Sequence, residues 1–99
     1  MMTVDTYARR ASLPATEVED EVFLVIPDGQ EIVHLDRLAA GLWRLLEAPL
    51  TLNAVVDTFA AAFPDMPVAQ LRADILSALG EMEEQQVIEV TRPGRGGPL

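Results

Sequence analysis

Cysteine is absent from this 99-residue chain, and so is lysine. The first absence excludes disulfides, thiolate nucleophiles and thiolate-bound zinc together. A single histidine, His34, leaves no metal site built on imidazoles. No stretch approaches the roughly 20 apolar residues that span a bilayer. The opening MMTVDTYARRASLPA has two arginines but no apolar run behind them, so it is not a secretory signal. Gly94, Gly96 and Gly97 fall in a tail and not at a strand-to-helix turn, so no phosphate-binding loop is present. The expectation is a soluble cytoplasmic domain that folds without metal or cofactor and binds no membrane.

Positive charge is scarce. All seven cations are arginines, scattered along the chain, against sixteen acidic residues and a net charge of −9. Nucleic-acid affinity comes largely from neutralising phosphates with Lys and Arg, so nucleic acid is not an expected partner.

What remains is apolar: 49% of the residues are hydrophobic, enough for one modest core in one domain. Residues 1–14 lack periodicity and read as a flexible N-terminal arm. Residues 92–99, RPGRGGPL, read as a disordered tail. The folded part is therefore expected at residues 15–91. Glu21–Ile26 and Glu31–Leu35 are runs rich in β-formers, and Pro27-Asp28-Gly29-Gln30 between them is a tight-turn signal. A weaker strand near Thr16–Val18 precedes them.

Three helices follow. Asp36 caps the first, which carries Leu38, Leu42, Leu45 and Leu46 around Trp43 and ends at Pro49. Thr51 caps the second, with Leu52, Val55, Val56, Phe59 and Phe63 on one face and Pro64 as its stop. Pro67 opens the third. On that helix Val68, Leu71, Ile75, Ala78, Leu79 and Met82 share an arc of about 100°, a core-facing stripe. A flank of Ala69, Ala73, Leu76 and Gly80 widens the apolar surface, and Gln70, Asp74, Ser77, Glu81, Glu84 and Gln85 are polar. Val87–Val90 closes the domain as a β-prone run. The expected fold class is α+β, winged-helix-like, with two to three N-terminal antiparallel strands followed by three helices.

Catalytic constellations are missing. The acidic groups Glu19-Asp20-Glu21 and Glu81 with Glu83-Glu84 fall at a strand start and on a polar helix face, where carboxylates are solvated. His34 lies beside Asp36, but no Ser or Cys nucleophile is placed to use the pair. Trp43 and Phe59 sit on helical stripes and read as core. No catalytic residue and no metal ligand is assigned.

The order of signals resembles the PqqD-like family. His34-Leu35-Asp36 followed by Gly41-Leu42-Trp43-Arg44-Leu45-Leu46-Glu47 is similar to its "L-N … I-W-x-L-L" pattern at the first helix. Ala48-Pro49-Leu50-Thr51-Leu52 resembles its link to the second helix, and Phe59 to Phe63 that helix's "L…F" end. Asp74-Ile75-Leu76-Ser77-Ala78-Leu79 through Met82 to Val87-Ile88 resembles its closing "D-V-x-x-F-L-x-x-L-x-x-x-G-L-L". The likeness covers roughly residues 16–90. Three positions depart from it: Asp36 replaces an asparagine, Ala78 an aromatic, and Gln86 the glycine before the final apolar pair.

The resemblance implies a recognition element in the biosynthesis of ribosomally made, post-translationally modified peptides such as the precursor of pyrroloquinoline quinone. Such proteins hold a precursor's leader for a modifying enzyme, often a radical S-adenosylmethionine enzyme, and use no cofactor of their own. The leader is thought to add as a strand to the sheet edge beside the last helix, a mode that suits the free edge any small sheet must have. Carried onto this chain, the candidate site is Glu31, Ile32, Val33, His34 and Leu35 of the strand, with Arg72, Ile75, Leu76 and Leu79 of the helix. The alternative is a winged-helix transcriptional regulator or another protein-interaction module. Its DNA form is opposed by the acidic last helix. Fluorescence anisotropy with labelled duplexes at physiological salt should therefore show no sub-micromolar, salt-sensitive complex.

Overall fold

The structure, a computed structural model, describes residues 5–27 and 31–92. The element order is β1 (Thr6–Arg9), β2 (Ala15–Val18), β3 (Glu21–Ile26), β4 (Glu31–Leu35), α1 (Arg37–Leu45), β5 (Leu50–Thr51), α2 (Leu52–Ala62), α3 (Val68–Glu84) and β6 (Ile88–Thr91). The class is α+β, with strands leading into three helices as expected. Two three-stranded antiparallel sheets form, in the orders β2-β3-β4 and β5-β1-β6. Past Pro27, the turn Pro27-Asp28-Gly29-Gln30 lies outside the described residues, as does the tail beyond Arg92.

Alternation builds the first sheet. Val22, Leu24 and Ile26 of β3, with Val33 and Leu35 of β4, point into the core, while Phe23, Val25, Ile32 and His34 take the opposite face. α1 closes on this sheet through Ala40, Leu42, Trp43 and Leu46. α3 adds Leu71, Ile75, Leu79 and Met82, and α2 adds Val55 and Val56. Each fully buried Leu or Ile side chain contributes about 1.5–3 kcal/mol relative to exposure. The helix starts are fixed by side chains: Asp36 accepts from the Ala39 amide at 3.0 Å and Thr51 from the Ala54 amide at 3.2 Å.

Three expectations need correction. Residues 1–14 are not wholly an arm, because Thr6–Arg9 is the central strand of the second sheet, pairing Thr6 with both Thr51 and Thr91. Its partners lie far away in sequence, so no local pattern marks it. Arg9 also places its guanidinium 4.2 Å from the Trp43 ring centre, and its amide bonds the Leu46 carbonyl at 2.9 Å. Val68, read as core, is 57% exposed, because it sits at the outermost turn of α3. Phe63, read as an inward residue of α2, is 45% exposed at that helix's end, its ring centre 6.2 Å from that of Phe59 and tilted by 33°.

The exit of α3 resolves the departure at Gln86. This residue adopts φ 65°, the left-handed region that favours glycine. The Gln86 amide bonds the Glu83 carbonyl at 3.0 Å and the Val87 amide bonds the Met82 carbonyl at 3.1 Å, the paired bonds of a Schellman cap. Buried Met82 and Val87 supply its apolar contact. The cap thus forms without glycine, at a conformational cost of about 1–2 kcal/mol for a residue with a Cβ. Gln86→Gly should therefore stabilise the domain by roughly 0.5–1 kcal/mol, read as a rise of a few degrees in melting temperature. An unchanged or lower midpoint would show that the left-handed turn carries no strain.

Candidate functional site

β4 is an edge strand: β3 pairs with one side of it, and among the described residues no strand pairs with the other. The register shows which of its groups are free. The Val25 amide donates to the Pro14 carbonyl at 3.0 Å, so odd-numbered residues of β3 direct their backbone groups towards β2. Even-numbered Leu24 therefore faces β4, and its Cα partner there is Val33. Bonded and open residues alternate along an antiparallel strand. Glu31, Val33 and Leu35 thus spend their N–H and C=O groups on β3, and Ile32 and His34 hold theirs at the open edge. The site's main-chain donors and acceptors are those two residues, a detail of register that the sequence does not carry.

Side chains follow the same parity. Val33 and Leu35 are buried beneath the sheet, whereas Ile32 is 70% exposed on its outer face. His34 is exposed beside it, its Nε2 2.6 Å from the Glu21 carboxylate and its ring 4.9 Å from the Phe23 ring centre. The histidine's partner is thus Glu21 across the strand pair; Asp36, the neighbour expected from sequence, is occupied in capping α1.

The four helix residues divide in the same way. Ile75 and Leu79 lie in the core, at 0% and 1% exposure, and offer no surface. Leu76 is 44% exposed. Arg72 donates to the Asn53 side chain at the start of α2 at 2.9 Å, which fixes its guanidinium away from free rotation. Of the nine candidates, then, Glu31, Ile32, His34, Arg72 and Leu76 present side chains, and Val33, Leu35, Ile75 and Leu79 form the support beneath.

Sequence reasoning missed a second feature. A mostly apolar cavity of about 810 Å³ opens between α1, α2 and the start of α3, walled by Leu38, Leu45, Phe59, Phe63, Met66 and Leu71. Arg44 on its rim holds Glu17 of β2 at 2.9 Å, which puts the cavity on the β2 side of α1, away from the open edge of β4.

Among the described residues no polar or charged residue is buried, and no group of three or more His, Asp or Glu is arranged to hold a metal. Partial burial, with the nearby Asp5 charge, raises the Tyr7 hydroxyl above its ordinary value. Arg92 is held charged by two hydrogen bonds to the Glu83 carboxylate, each 3.1 Å. Both lie at the second sheet, not at β4. No helix among the described residues is long and apolar enough to cross a membrane.

Set against known families, residues 21–88 match Coenzyme PQQ synthesis protein D (PqqD). The chain belongs to the PqqD family. The matched segment begins with β3 and ends in β6, so β1 and β2 lie outside it. A solved structure of "TbiB1 in Complex with the TbiA(beta) Leader Peptide" shares the fold, with a TM-score of 0.72 and 20% identity over 83% of this chain and 94% of that one. No curated protein matches the chain.

Two proline substitutions separate the roles within β4. Val33→Pro deletes a ladder N–H, strands the Leu24 carbonyl and should destabilise the fold by about 1–3 kcal/mol. Ile32→Pro deletes an N–H at the open edge and should leave the melting temperature within a few degrees of the parent. Equal losses from the two variants would refute the assigned alternation.

Proposed function

We propose that this chain binds the leader of a ribosomally made precursor peptide by strand addition to β4. It presents that leader, in the cytoplasm, to a maturation enzyme of the radical S-adenosylmethionine type, and performs no catalysis itself. The observation that carries this reading is the open edge of β4, where the N–H and C=O groups of Ile32 and His34 turn away from β3 and meet no strand among the described residues, in a domain of the PqqD family. An unpaired edge is an aggregation hazard unless a strand-like partner uses it. β-Augmentation is that use: main-chain bonds supply affinity, and alternate side chains supply choice.

Glu31 and His34 flank the docking line, Val33 and Leu35 hold the strand to the core, and exposed Leu76 supplies an apolar wall on α3, backed by Ile75 and Leu79. Arg72 takes an acidic leader residue while keeping its bond to Asn53. The likeness to a structure solved with a leader peptide supports this reading, and α3 opposes the DNA-binding alternative. Its solvent face carries Asp74, Glu81 and Glu84, all exposed.

The test is amide hydrogen exchange by NMR, with a panel of synthetic leader peptides of ribosomally made precursors. Before addition, the Val33 and Leu35 amides should exchange slowly and those of Ile32 and His34 fast. Saturating leader should slow Ile32 and His34, and should do so without added metal or cofactor. Binding that shifts Gln70, Ser77 and Glu84 and leaves both edge amides fast would reject strand addition at β4.

A further inference from the structure

The outer face of the β2-β3-β4 sheet is built unlike a solvated one. Alternation should place polar residues there, yet Val18 is 50%, Val25 39% and Ile32 70% exposed, and Phe23 lies among them. The cross-strand register sorts these side chains into rows. One row runs from Val25 to Ile32, and another from Thr16 through Phe23 to His34. Both rows end on β4, and they end on the two residues whose backbone groups are open.

That coincidence has a geometric consequence. A strand laid antiparallel along β4 places the residues opposite Ile32 and His34 on the same face as those two side chains, with their own N–H groups turned to β4. The residue between them faces inward, opposite Val33. The incoming strand's outward residues therefore lengthen the two existing rows by one member each.

We infer that the outer face selects an i, i+2 pair in the bound leader, with an aliphatic side chain against Ile32 and an aromatic one against His34. The aliphatic position extends the Val25–Ile32 row, where β-branched and aliphatic neighbours pack well. The aromatic position extends the tilted Phe23–His34 stack, whose ring centres are 4.9 Å apart. Glu21 holds His34 from the opposite side through the 2.6 Å contact, so the imidazole is oriented before the leader arrives. The inward residue meets only the side chains beneath the sheet, so the two faces of the leader are read separately. This inference rests on the strand addition proposed above and assigns Ile32 and His34 as specificity-determining residues.

The experiment is a double-mutant cycle measured by calorimetry on the full chain, using a synthetic leader peptide that binds in the exchange experiment and carries an aliphatic and an aromatic residue two positions apart. Ile32→Thr and His34→Thr keep β-propensity while removing the apolar and aromatic surfaces. Each should weaken binding about three- to fivefold, the range of a good cross-strand pair. Each should also couple to one leader position, the two positions being two residues apart. Loss at one member of the pair, with a threonine placed in the leader, should leave no further loss from its partner.

A second arm examines the backbone. A leader N-methylated at either of those two positions should lose binding at least tenfold, while methylation between them should not. If N-methylation abolishes binding and the threonine variants bind as the parent does, strand addition stands and the outer-face assignment falls. If N-methylation at every position is silent, strand addition falls and the assignment falls with it. Sedimentation of the leader-free chain distinguishes the remaining occupant: a dimer that Ile32→Thr dissolves without any change in leader affinity would assign the face to a second copy and overturn the inference.

Discussion

Peptide groups must be hydrogen-bonded or wet, and β4 divides that requirement residue by residue. Val33 and Leu35 direct both backbone and side chain into the fold, the first towards β3 and the second into the core. Ile32 and His34 direct both outward. Because the side-chain period and the hydrogen-bond period of an antiparallel strand are both two, the division is complete. Attachment to the fold and the proposed docking of a leader occupy alternate positions of the same five-residue segment, so a change at one set need not disturb the other.

The charge distribution serves the same division. Arg44 is tied to Glu17, Arg37 lies 3.9 Å from Asp20, Arg92 chelates Glu83, and Arg9 lies over Trp43. These cations fasten helices and strands to one another, and the surplus acid is spread over the surface, with Asp74, Glu81 and Glu84 on the exposed face of α3. Exposed pairs of this kind contribute at most about 1 kcal/mol each, so their value is positional more than energetic. They leave the rim of β4 with a carboxylate–imidazole pair and an isoleucine as its distinguishing features.

Legibility in the sequence followed locality. Apolar alternation in Val22–Ile26, the caps Asp36 and Thr51, and the stripe Leu71–Ile75–Leu79–Met82 are signals within one element, and the structure has all of them. Thr6–Arg9 was opaque because its four half-buried residues gain their strand identity from Leu50–Thr51 and Ile88–Thr91. Residues such as Val68 and Phe63 carry the right periodicity but sit where the helix has outrun its neighbours, which a helical wheel does not register. At the site, the choice of Glu31–Leu35 was readable as a short strand after a turn. Which of its amides are open was not, since that depends on how β2 registers against β3. Gln86 was flagged by the glycine it replaces, and the cap it forms became visible only through its bonds to α3.

The second sheet has a temporal consequence. Its middle strand, β1, precedes every other element of the domain in chain order, and β6, which it pairs with along its whole length, follows them all. Closing so long a loop is entropically slow, and vectorial synthesis enforces the delay outright. Until β6 emerges, β1 has only its two-residue ladder with β5 to hold it in the sheet. The nascent domain is therefore unlatched until its last strand, β6, closes on its first.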